Sequence, residues 1–151
     1  MTRSIALPAA TALALALLLS STASAQKKSP LLESIGALAA AQLYTNHAYI
    51  GVTGDAFVAK AYKAKQVRAL MTEAAAMIDN VSRYLSKVAA GNITADDKKF
   101  LDEAIAIFAL LKEQATALKR YAGTGQKTDA DAYQKARGEA WTRLKALLNL
   151  K

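Results

Sequence analysis

Residues 95–122 read ADDKKFLDEAIAIFALLKEQATALKRYA. Leu101, Ala104, Phe108, Leu111, Ala115, Leu118 and Ala122 recur at steps of three and four. That spacing lines apolar side chains along one stripe of an α-helix, and the intervening Asp, Glu and Lys residues fall on the other side. A lone helix of this kind is marginal in water, so the stripe needs partner helices to cover it. Thr94-Ala95-Asp96-Asp97 precedes the stripe with the form of a capping box, Asp standing where Glu is usual. Gly123 is the expected stop, and residues 95–122 are read as one helix.

The flanking segments repeat the pattern. Gly123 to Lys127 reads as a loop, and Thr128-Asp129-Ala130-Asp131 as a second capping box. A helix over 129–149 then turns Tyr133, Ala136 or Arg137, Ala140, Leu144 and Leu147 inward. Upstream, Val67, Leu70, Ala74, Met77, Val81, Tyr84 and Val88 keep the 3-4 spacing, widened by Met71, Ala75, Ile78 and Leu85. They predict a helix over 55–90, stopped at Gly91. Leu32, Ile35, Ala39, Leu43 and Ile50 predict a helix over 30–51, opened by Ser29-Pro30. Gly51-Val52-Thr53-Gly54 reads as the turn between these two, with Thr53 or Asp55 as the next cap. The helix over 55–90 is then much longer than the others, which requires either a kink in it or a first hairpin that projects beyond the second.

No run of alternating β-branched residues reads as a strand, and 27 of the 126 residues from Gln26 onward are Ala, the strongest helix former. The expected class is all-α: an up-down-up-down antiparallel four-helix bundle forming one domain, residues 26–151. Before it, Arg3, the apolar run Ala9–Leu19 and Ala23-Ser24-Ala25 have the order of a secretory signal peptide, residues 1–25. The apolar run is short for a membrane span, which needs about 20 residues. The chain has no Cys, so it carries no disulfide, no thiolate chemistry and no lipidated N-terminal Cys. The expectation is a periplasmic or secreted protein that is not a lipoprotein.

Chemistry-bearing motifs are scarce. There is one His, no Glu-x-x-His, no Gly-x-Ser-x-Gly and no phosphate-cradling Gly-rich loop after a strand. A non-enzymatic protein without a resident cofactor is expected. The redox alternative is a haem b or metal held by His47 with Met71 or Met77. Against it, both Met residues fit the apolar stripe, where Met is an ordinary core filler.

Charge is the one asymmetry. The whole chain carries 20 basic and 12 acidic residues. In the bundle, the first and third turns share one end, spanning about residues 44–68 and 119–137. Those windows hold Lys60, Lys63, Lys65, Arg68, Lys119, Arg120, Lys127, Lys135 and Arg137 against Asp55, Asp129 and Asp131. They also hold Tyr44, Tyr49, Phe57, Tyr62, Tyr121 and Tyr133, with Trp141 four residues beyond Arg137. Asn46, Arg68 and Arg137 fall near apolar seam positions, where a buried polar group needs a partner. The candidate ligand-binding set is therefore Asn46, Tyr49, Tyr62, Arg68, Tyr121, Tyr133, Arg137 and Trp141. It suits an anionic small molecule, a lipid headgroup on an anionic membrane surface, or an acidic protein partner. Nucleic acid is not the expected partner, because the cations are scattered at helical spacing rather than packed in a run. A structural, self-associating helical protein is the remaining alternative, with the Ala104-Ile105-Ala106-Ile107 stripe as its second packing face.

Expression of the whole chain in a bacterial host is expected to deliver a 126-residue protein beginning at Gln26, read by intact mass spectrometry of the exported fraction. Retention of residues 1–25 would make that segment an anchor instead.

Overall fold

Four α-helices make up nearly all of residues 29–150, the part of the chain that this computed structural model describes. The leader read at residues 1–25 lies outside the described residues. The helices are α1 (Pro30–Val58), α2 (Ala64–Ala89), α3 (Ala95–Thr124) and α4 (Lys127–Leu148), and no strand occurs among the described residues. They form the expected antiparallel four-helix bundle. Packing is not square. α3 lies along both α2 and α4, α1 touches all three other helices, and α2 and α4 do not meet. The α1–α3 diagonal is therefore the short one, and α3 is the spine of the core.

The α3 seam is buried throughout: Leu101, Ala104, Phe108, Leu111, Ala115, Leu118 and Ala122 are all closed to solvent. Ile107 on the neighbouring stripe is buried too, whereas Ile105 and Ala106 are partly open to solvent. Thr94 caps α3 by accepting a 3.1 Å hydrogen bond from the Asp97 amide, and its hydroxyl donates to the Asp97 carboxylate at 2.6 Å. α3 passes through Gly123 and stops at Gly125, whose left-handed φ of 67° is the conformation that favours glycine at a helix end. α4 opens at Lys127, so Thr128 lies within its first turn instead of capping it.

The largest departure from the sequence reading is the first connection. Gly51-Val52-Thr53-Gly54 is not a turn. α1 runs straight through it to Val58, and the connection is residues 59–63. The helices expected over 30–51 and 55–90 are 30–58 and 64–89, which removes the length mismatch: the four helices have 29, 26, 30 and 22 residues. Neither proposed cap acts as one. Thr53 donates back to the Tyr49 carbonyl at 2.8 Å, and Asp55 is bound by Arg137. The terminator is Lys60, which adopts φ 60° without being glycine. Around it the Ala61 and Tyr62 amides donate to the Ala56 carbonyl. A left-handed Lys costs about 1–2 kcal/mol and leaves no trace in the sequence, whereas two glycines suggest a turn that is absent.

Those glycines serve packing. A Cβ on Gly54 would lie 2.4 Å from the Tyr133 hydroxyl and 2.9 Å from its ring carbon, and one on Gly51 would lie 3.3 Å from the Arg137 guanidinium. α4 uses the bare backbone of α1 as its seat. The α2 stripe is also rotated from the expected one. Val67, Met71, Ala74, Ile78, Leu85 and Ala89 are buried, while Met77 and Tyr84 are 56% and 63% exposed. α2 faces only α3 and part of α1, so a narrower stripe suffices.

Gly54→Ala is expected to lower stability by about 1–2 kcal/mol, because overpacking against the rigid Tyr133 ring outweighs the helix propensity gained. Gly51→Ala meets only the movable end of Arg137 and is expected to shift stability by less than about 1 kcal/mol. Urea denaturation of both variants checks the contrast.

Candidate functional site

The sequence-selected residues separate into three places. The first is the seam between α1 and α4, which run antiparallel, so that successive turns of one meet successive turns of the other. Gly54 meets Tyr133, Gly51 and Asp55 meet Arg137, and His47 meets Trp141. The Arg137 guanidinium donates to the two Asp55 carboxylate oxygens at 3.1 and 3.4 Å. Asp55 and the Tyr133 ring beside it hold Arg137 protonated, pushing its pKa upward despite partial burial. Arg137 is thus a clamp between helices whose charge is already matched, and it is not the free cation that the sequence suggested.

His47 stacks on Trp141 with ring centroids 5.2 Å apart and planes 16° from parallel. Its pKa is lowered, first by burial and then by the positive charge of Arg137, with Gln114 opposing. The imidazole is neutral at neutral pH. Behind it, Gln114 of α3 is fully buried and Tyr133 is 3% exposed. Gln114 is near enough to bias the protonation of both His47 and Tyr133. Yet no geometry among them meets hydrogen-bond criteria, and His47 Nδ1, both Gln114 amide atoms and the Tyr133 hydroxyl are buried without a partner. Burial raises the Tyr133 pKa, so its hydroxyl stays protonated. Asn46, also buried, is satisfied within its own helix, its amide donating to the Gln42 carbonyl at 2.8 Å.

The second place is the α1–α2 side, where Tyr49 and Tyr62 are about two-fifths exposed. Burial, then Glu73 and Tyr62 nearby, raise the Tyr49 pKa. The third is the end of the bundle that carries the 59–63 connection. There Tyr121 packs edge-on against Phe57 at 5.6 Å, and the Arg68 stem lies beside Gly123. Of the alternative metal set, Met71 is in the core of α2, Met77 is more than half exposed, and His47 is engaged by α3 and α4. Among the described residues no group of three or more His, Cys, Asp or Glu gathers as a metal site.

Charge at this end is sorted by pairing. All three acids are taken: Asp55 by Arg137, Asp129 by Arg120 and by the Thr124 hydroxyl, and Asp131 by Lys127. The Thr124 and Arg120 contacts hold the Asp129 carboxyl below its usual pKa. Lys135 reaches Glu139 at 4.0 Å. Lys60, Lys63, Lys65, Arg68 and Lys119 form no ion pair with a described residue, and all but the half-buried Lys119 are exposed. α2 has no acid in its first turn, although the positive end of the helix dipole favours one. Sequence reasoning found the basic end but missed Gln114 and the role of Gly51. Gln114 stands three residues after Leu111 and four before Leu118, and that spacing was the available signal. Comparison with protein-family models, with curated proteins and with solved structures finds no match for the chain.

The lowered His47 pKa has a signed consequence. The unfolded chain takes up a proton near pH 6.5 and the folded one only at lower pH, so stability is held above about pH 6.5 and declines as the pH falls through that range. His47→Phe keeps a ring against Trp141 and removes the titration. It is expected to abolish the part of the fall in urea midpoint that lies between about pH 6.5 and 5. His47 is the only His in the chain, so its imidazole resonance reports the folded-state pKa directly.

Proposed function

We propose that this is an exported, non-enzymatic interaction protein whose basic end docks on an anionic lipid surface. The observation that carries the reading is the set of five cations at that end that form no ion pair with a described residue, Lys60, Lys63, Lys65, Arg68 and Lys119, while Asp55, Asp129 and Asp131 are each engaged. The same end exposes Val58 and Tyr62, 69% and 39% open to solvent, flanking Lys60. An aliphatic and an aromatic tip ringed by Lys suits a headgroup layer, where Tyr settles at the polar–apolar boundary and each basic residue contributes about 1 kcal/mol. Attachment would be peripheral, since no described helix is long and apolar enough to cross a membrane.

Protein starting at Gln26 is expected to co-sediment with phosphatidylglycerol vesicles at low salt, to be released by high salt, and to ignore phosphatidylcholine vesicles. The triple variant Lys60→Glu, Lys63→Glu, Lys65→Glu is expected to bind phosphatidylglycerol at least about a hundredfold more weakly. All three residues are exposed, so helicity should be preserved. Equal binding to both lipids, or no loss in the triple variant, would overturn the reading. Salt-sensitive capture of an acidic protein without vesicle binding would move it to a protein partner.

A further inference from the structure

We infer a second, uncharged binding site on the side of the bundle: the groove between α1 and α4 over Gly138, which takes a planar, uncharged aromatic ligand with a hydrogen-bonding edge. The groove has a volume of about 460 Å³ and is walled by Tyr44, His47 and Ala48 on α1 and by Gln134, Arg137, Gly138 and Trp141 on α4. A two-ring molecule fits that space.

Three observations converge on it. The first is Gly138 itself. It sits in the interior of α4 at an exposed position, where glycine costs about 1 kcal/mol relative to Ala. Gly51 and Gly54 are explained by the side chains that press on them, whereas a Cβ on Gly138 would meet nothing within 4 Å. No internal contact requires the bare backbone there, and what it leaves is open floor in the groove. The second is the ring pair. His47 and Trp141 already stack, and 37% of Trp141 and 51% of Tyr44 remain open to solvent, so a third ring has faces and edges to lie against. The third is the polar backing. His47 turns Nδ1 into the core, towards a fully buried Gln114 whose amide atoms lack partners. Gln114 does not line the groove itself but stands behind His47, so the ring that the groove presents is backed by a polar group rather than by a fully apolar core.

Charge decides the ligand class. Asp55 neutralises Arg137, and burial with the Arg137 charge keeps His47 neutral. The groove presents hydrogen-bonding groups, the Gln134 amide and the remaining Arg137 N–H donors, but no unmatched charge. An anion would meet a guanidinium whose charge Asp55 already offsets, whereas a neutral ring needs no countercharge. The two sites therefore differ in kind: the end of the bundle is charged, and the side groove is neutral.

Quinoline-3-carboxamide and quinoline-3-carboxylate share a ring system and differ in charge, which makes them suitable probes. Trp141 is the only Trp, so its single indole N–H resonance reports on the groove. The carboxamide is expected to shift that resonance and the Gly138 amide saturably, with half-saturation at about 1 mM for a ligand of this size. The carboxylate is expected to bind several-fold more weakly, with little response to salt. Gly138→Leu fills the floor without touching the core. It is expected to weaken the carboxamide at least tenfold while its thermal midpoint stays equal to or above that of the parent chain. Trp141→Ala is expected to weaken binding similarly, followed at the Gly138 amide. No saturable shift up to about 10 mM, ten times that half-saturation, or undiminished binding by Gly138→Leu, would overturn the site. Preferential, salt-sensitive binding of the carboxylate would overturn the uncharged class.

Discussion

Where α4 meets α1, two side chains occupy the space that two Cβ atoms would fill. Tyr133 presses its hydroxyl against the backbone of Gly54, and Arg137 lays its guanidinium across Gly51. This close approach sets the separation and register of the two helices. One turn from Gly51, Asp55 then falls within reach of Arg137, and one turn the other way His47 falls flat on Trp141. Antiparallel helices make such a ladder because a step of four residues advances each by about one turn. A bulkier residue at position 54 would push α4 away and loosen the contacts above and below it.

The same register explains the charge distribution. By binding Asp55, Arg137 takes one acid from the basic end, and Arg120 and Lys127 take the other two. Each exposed pair contributes little to stability, about 0–1 kcal/mol. Together they leave the cations around the 59–63 connection without a partner among Asp55, Asp129 and Asp131. Repulsion there is tolerated because the residues are solvated and screened, and it produces a local field that the net charge of the chain understates.

The core contains an inconsistency of the kind that marks function more often than folding. A stripe as regular as that of α3 would be served by Leu at position 114, yet Gln stands there, fully buried. α4 would be steadier with Ala at position 138. Both residues border the His47–Trp141 pair, one from the core side and one from the groove side.

The bundle was legible from periodicity alone. Apolar steps of three and four on α3 and α4 predicted the buried residues, and Thr94 marked the start of α3, because helix formation and capping depend on neighbours within a few residues. The basic end was legible for the same reason: once the connections are placed roughly, charges follow by count. The first connection was misread because glycine has two uses, freeing the backbone and making room for another helix, and only the second applies at Gly51 and Gly54. Lys60, which ends α1, carries no sequence signal of its left-handed turn. The pairing of Arg137 with Asp55 spans 82 residues, and the stack of His47 on Trp141 joins the first helix to the last. Such contacts depend on how far apart two helices settle and how each is rotated. Side chains on every helix decide that jointly, so local sequence determined the helices and the charge, and tertiary packing alone decided which residues share a site.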